Sequence, residues 1–235
     1  MWSDEPTQEL PTLHPPYLGR LLFGGIGAGV LLIGGLIVAS AATGPPAAPV
    51  RLPAADAALD LVGDATDITV RTADLGEDLY RVNQPARAAQ DGDRIRVDVA
   101  DGGRVELLLA ERVRWDLGVR GSAGTKRIDL AAGRFRAVDL SGGTGHVDLT
   151  LPPPDGTLTV RLADGVNRFD VHTTGGAPVR VRVGSGAGNV VLSGETHAGV
   201  AAGALFTPDR WNDTTDRIDL DAAAGMSRLT VSGTG

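Results

Sequence analysis

Strict alternation of apolar and polar residues constrains this chain more than any other feature. It runs through Arg94-Ile95-Arg96-Val97-Asp98-Val99, Val147-Asp148-Leu149-Thr150-Leu151, Leu158-Thr159-Val160-Arg161-Leu162 and Val179-Arg180-Val181-Arg182-Val183. Successive side chains of a strand point to opposite faces, so period two with charges on one face is the pattern of a half-buried β-strand. Breakers such as Asp101-Gly102-Gly103, Ser141-Gly142-Gly143, Asp164-Gly165 and Gly175-Gly176 separate the runs. No helix of useful length fits between them.

Strand centres fall near Ile128, Val138, Leu149, Val160, Phe169, Val181 and Val191, at steps of 10, 11, 11, 9, 12 and 10. Taken alternately, these give a repeat of about 21 residues with two strands per unit, a period that signals a stacked architecture. A meandering sandwich has much the same spacing. Aromatic content of 4% beside 33 glycines favours the stack, whose thin core is filled by Val, Leu, Ile and Ala. The expected fold is all-β, a solenoid-like stack of short strands preceded by one transmembrane α-helix.

The repeats read Lys126-Arg127-Ile128-Asp129-Leu130, Arg136-Ala137-Val138-Asp139-Leu140, Gly145-His146-Val147-Asp148-Leu149 and Gly188-Asn189-Val190-Val191-Leu192. On these motifs the chain, over residues 110 to 233, resembles the putative-adhesin or toast-rack β domains of bacterial envelope proteins. It is similar also to the related C-terminal domain of cell-wall-antibiotic-response membrane proteins. The resemblance implies a β-solenoid-like fold at the cell surface and, for some relatives, modulation of envelope-stress signalling. It implies no catalytic residues. Those membrane relatives often carry several helices before the domain, where this sequence offers one.

That one helix is Leu21 to Ala42, 22 residues without a charge. As a helix it is about 33 Å long, enough for a hydrocarbon layer of about 30 Å. Residues 1–20 read as a disordered cytoplasmic tail, 21–42 as the membrane helix, 43–58 as a Pro/Ala-rich linker and 59–235 as the extracytoplasmic β domain. Arg20 at the N-terminal flank favours this orientation. Ala39-Ser40-Ala41 fits a signal-peptidase pattern, but the long apolar run and acidic tail favour retention. Gly25, Gly29, Gly35 and Ala39 put small residues one turn apart, which would let two such helices pack as a homodimer.

Chemistry is sparse. There is no cysteine, hence no disulfide, thiol nucleophile or Cys metal site. Net charge is -7 and Lys126 is the only lysine, a poor basis for nucleic-acid binding. No Gly-x-Ser-x-Gly or His-Glu-x-x-His occurs. The histidines His14, His146, His172 and His197 read as surface or turn residues, because the 26-residue step from His146 to His172 misses the repeat. Asp129, Asp148 and Asp170, at steps of 19 and 22, would fall in neighbouring rows of a stack and form the one candidate Ca²⁺-binding or polar row. Solubility accounts for them more simply. Trp115 reads as core and Trp211 as a loop anchor.

The expectation is therefore a non-catalytic, cofactor-free, membrane-anchored β domain that serves as an envelope scaffold or sensor. Its partners would be the bilayer, through residues 21–42, and an envelope protein. An adhesin-like or glycan-binding surface module is the alternative.

Overall fold

The computed structural model describes residues 56–83 and 86–234, all within one compact unit. The tail, the apolar segment 21–42 with Gly25, Gly29, Gly35 and Ala39, and His14 lie outside the described residues, as does most of the linker. Among the described residues no helix is long and apolar enough to cross a membrane.

The chain is all-β across these residues. It forms in order β1 (Asp56–Val62), β2 (Ala65–Ala73), β3 (Tyr80–Val82), β4 (Ala86–Asp91), β5 (Arg94–Val99) and β6 (Arg104–Ala110). Next come β7 (Arg114–Arg120), β8 (Ala123–Asp129), β9 (Arg134–Ser141), β10 (Thr144–Leu151), β11 (Thr157–Leu162) and β12 (Val166–Thr174). The last are β13 (Val179–Val183), β14 (Ala187–Leu192), β15 (Glu195–Val200), β16 (Ala204–Phe206), β17 (Arg217–Ala222) and β18 (Met226–Thr234). β1 starts at Asp56, so residues 56–58 are strand rather than linker.

Two nine-stranded sheets result. Sheet 1 has the order β16-β13-β17-β11-β9-β7-β1-β5-β4, and sheet 2 the order β15-β14-β18-β12-β10-β8-β2-β6-β3. Each coil of chain lays one strand in sheet 1 and the next in sheet 2, so neighbours within a sheet come from different coils and run parallel. The expected period appears as register: Leu149 pairs with Ile128 and Val171, and Val138 with Leu117 and Val160, at steps of 21 or 22 residues.

The ends break that order. The first coil, β1/β2, is inserted between β7/β8 and β5/β6, and the last, β17/β18, between β11/β12 and β13/β14. Outside the terminal coils lie antiparallel cap strands, β4 and β3 at one end and β16 and β15 at the other.

Alternation turns one face of each sheet inward, and the inward residues form rows running up the stack. In sheet 1 one row is Ile95, Leu59, Leu117, Val138, Val160, Leu220 and Val181, each at most 1% exposed. Both sheets feed a single apolar core, and each Val or Leu fully buried there contributes about 1.5–3 kcal/mol. Trp115 lies in it, donating its indole N–H to the Ala110 carbonyl at 2.9 Å. Close stacking also fixes the sheet 1 to sheet 2 turns. Gly121 and Gly142 have φ of +143° and +83°, and a Cβ on either would strike the carbonyl of the turn beneath, Gly63 or Gly121. Only glycine suits both demands.

Candidate functional site

The expected acidic row is only partly assembled. Asp148 on β10 lies directly opposite Asp170 on β12. Asp129 lies opposite Thr150 instead, one row further along, because Asp148 faces Arg127 on β8. A 19-residue step falls two short of the 21-residue register there, which moves the side chain one row along on the same face. Asp129 accepts from the Ala131 amide at its own turn.

The two remaining carboxylates are engaged. Asp170 accepts from Arg168 Nε at 2.6 Å and contacts His146 Nε2 at 2.9 Å, with only 9% of its side chain exposed. Burial pushes its pKa up, but hydrogen bonds from His146, Arg168 and Thr230 outweigh that and hold it below the usual carboxylate value. Asp148 lies 3.4 Å from His172 Nε2. Among the described residues no group of three or more His, Asp or Glu is arranged to hold a metal ion.

His146 and His172 therefore do meet neighbouring strands, in two parallel diagonal His–Asp pairs. Each contact spans 24 residues, the 22-residue register plus two, so the histidines flank the Asp148–Asp170 pair on either side. His172 Nδ1 also lies 2.9 Å from Ser232 Oγ, giving the connectivity of a Ser-His-Asp triad. Acyl transfer also needs donors converging on an oxyanion. On a flat sheet face the amides are spent on the strand ladder instead.

The outer face of sheet 1 is an arginine–aspartate lattice. Arg136 grips Asp116 through two bonds of 3.1 and 2.7 Å and reaches Asp56 at 3.3 Å, which Arg114 also holds at 3.0 Å. The Arg114 hydrogen bond lowers the Asp56 pKa. Arg180 grips Asp219 likewise, at 3.0 and 2.6 Å. Trp211, 3% exposed, packs against the Arg180 and Arg217 guanidinium groups, 4.5 and 4.9 Å from its ring centroid. It anchors the β16–β17 connection to this face.

Lys126 is the unexpected core residue. On β8 it shares the inward face with Ile128, stands in the same row as Ile68 and Val147, and is 1% exposed. Its Nζ donates to the Ser141 and Gly142 carbonyls at 2.7 and 3.1 Å. Burial pushes its pKa down from 10.5 to about 8, against the opposing pull of Asp164 and Asp64. The sequence carried a signal, since Lys126 sits two residues from Ile128 in a period-two run.

At the C-terminal cap a cleft of about 690 Å³ opens between the ends of the two sheets. Val179, Leu192, Val231 and Phe206 supply its apolar walls, and Ser193, Glu195, His197 and Thr207 its polar groups. His197 packs against Phe206, ring centroids 4.8 Å apart, and lies 4.0 Å from Glu195.

The fold has a solved counterpart. The chain superposes on a putative cell adhesion protein from Clostridium sporogenes with a TM-score of 0.62, over 77% of this chain and 94% of that one, at 14% identity. At that identity the likeness is one of fold. No protein-family model and no curated protein matches the sequence.

Sequence reasoning missed the cleft entirely. Two of its polar residues, Glu195 and His197, come from a cap strand whose sequence, Glu195-Thr196-His197-Ala198-Gly199-Val200, shows no apolar alternation. It can bind a ligand with an apolar body and a hydrogen-bonding or cationic group.

Proposed function

We propose that this chain is a non-catalytic binding module, tethered to the membrane by residues 21–42, whose β stack faces outside the cytoplasm and meets an envelope protein. The observation that carries this is how the charged groups are spent. Arg136 with Asp116, Arg168 with Asp170 and Arg180 with Asp219 form ion pairs across regular sheet faces, while an open cleft that carries Glu195 and His197 beside apolar walls lies at one end of the stack. A rigid scaffold with a terminal recognition site fits a partner-binding role better than one built around reactive groups.

The test is fractionation of the expressed full-length chain, with protease added outside intact spheroplasts. Membrane-retained protein whose C-terminal domain is digested or released supports the reading. A domain protected inside the cell, or a soluble product beginning at Ala42, overturns the tethered arrangement.

A second reading, an adhesin-like or glycan-binding surface module, draws support from the Clostridium sporogenes neighbour. Binding of the same full-length chain to an array of immobilised glycans separates it from the first.

A further inference from the structure

The two ends of the stack are built alike and finished differently. At each end one connection crosses from the inserted coil to the cap strand, past the terminal coil, on the same edge of the molecule. At the β3/β4 end this is Asp74 to Leu79, between β2 and β3. It drops Leu75 and Leu79 between the sheets, and Tyr80 follows; they are 5%, 0% and 1% exposed and belong to the core. At the β15/β16 end the counterpart is residues 207–216, between β16 and β17. This connection places its large apolar residue, Trp211, on the outer face of sheet 1 against two arginines. Nothing comparable to the Leu75–Leu79 plug enters the mouth, and the 690 Å³ cleft is the space it leaves.

The core rows change character at that end as well. In sheet 2, residues directly opposite one another share a face. The inward row ending in Leu192 continues on β15 with Glu195, and the row ending in Val190 continues with His197. At the other cap the equivalent position is Val82, opposite Leu107. A carboxylate and an imidazole at core-facing positions beside an open cavity are a recognition feature rather than a packing one.

We infer that this cleft receives an extended peptide segment of a partner protein, carrying a branched apolar or aromatic side chain next to an arginine or lysine. Three observations choose this occupant. The chain's own plug at the opposite end shows which side chains fill such a mouth. Charge complementarity supplies the basic residue: Glu195 is 78% exposed at its side chain, and no Arg or Lys is among the described residues that line the cleft. Finally, β15 is the last strand of sheet 2, so its outer edge offers main-chain groups to a strand lying beside the mouth.

The proposal deepens the binding-module reading and rests on it, but the two fail separately, since fractionation tests location and the following test addresses the cleft alone. Phage displaying random octapeptides are panned on the purified full-length chain in detergent, and on its Ala177→Trp and Glu195→Lys variants. Ala177 lines the mouth, so a tryptophan there fills it, while Glu195 is exposed enough for substitution to leave folding intact even if Ala177→Trp misfolds.

The expected result is enrichment of peptides with an apolar residue within two positions of Arg or Lys. A synthetic representative binds Ala177→Trp at least tenfold more weakly, and panning on Glu195→Lys loses the basic preference. No enrichment on the parent chain overturns the proposal. So do enriched peptides that bind both variants as tightly as the parent, or a glycan ligand that Ala177→Trp abolishes while no peptide is enriched.

Discussion

Lys126 makes the alkaline stability of this protein readable at a single residue. The chain has no cysteine and only this lysine, so few side chains titrate between neutral pH and pH 9.5. In the folded state burial holds its pKa near 8, against 10.5 for an exposed lysine. Between those values the unfolded chain binds more protons than the folded one, and stability must rise with pH. From pH 7 to 9.5 the two titration curves differ by an area worth about 2 kcal/mol of unfolding free energy. For a domain of this size that is about 4–8 °C in Tm. Above pH 10 Tyr80 acts in the opposite direction, because burial raises its pKa, and the gain levels off.

The assay is urea unfolding of the full-length chain at half-unit pH steps from 7 to 9.5, followed by tryptophan fluorescence, for the parent and for Lys126→Met. Methionine fills the space of the lysine stem without a charge, leaving the Ser141 and Gly142 carbonyls without this donor. That loss shifts the whole curve by a pH-independent amount, so the slope alone is diagnostic. The parent should gain about 2 kcal/mol across the window and the variant should stay flat. A flat parent curve, or a rise that persists in Lys126→Met, refutes the assignment of a desolvated ammonium to the core row.

Other substitutions test the remaining features. Asp164→Asn removes the carboxylate that favours the Lys126 ammonium most, so the midpoint of the alkaline rise should move to lower pH in the same titration. Gly121→Ala should cost at least about 3 kcal/mol, or prevent folding, because φ of +143° and the Gly63 carbonyl both exclude a Cβ; Gly92→Ala, with φ of +62° and open space around it, should cost about 1 kcal/mol in the same denaturation. Asp170→Asn leaves Arg168 and His146 poorly matched and should cost about 2 kcal/mol. Since the parent Asp170 pKa is lowered, its stabilisation is present above the unfolded carboxylate value and is lost as pH falls through the folded one, so the variant's acid limb should be shallower. Trp211→Ala should expose residues 207–216 to limited proteolysis while the global unfolding midpoint moves little, because Trp211 secures a connection and lies outside the main core cluster.

How far the sequence reveals this fold depends on where in the stack a residue lies. In the middle, Ile128, Val138, Leu149, Val160, Phe169 and Val181 are each buried inside a strand, because a parallel stack repeats the same environment at every coil and period two survives intact. Val191 is the exception. The inward residue of β14 is Val190, and three consecutive apolar residues, Val190-Val191-Leu192, hide which of them faces the core. The Asp148–Asp170 pair was legible from its 22-residue step, whereas the His146–Asp170 and Asp148–His172 contacts were not, since each diagonal adds two to a register that has to be known first.

The ends resist reading for a different reason. Inserting β17/β18 beneath β13/β14 replaces a 21-residue step by partners 60 and 39 residues apart, Val160 to Leu220 and Leu220 to Val181. No local pattern encodes such an insertion. Each end must also cover its last parallel strand, which would otherwise expose a full row of unpaired amides and carbonyls. A short antiparallel strand meets that need, and its sequence answers to the solvent on one side more than to the core on the other. Alternation is therefore weakest in β4 and β15. The position least specified by the core is also the one freest to carry recognition chemistry, which is why Glu195 and His197 could occupy inward sites without unfolding the rows that end beneath them.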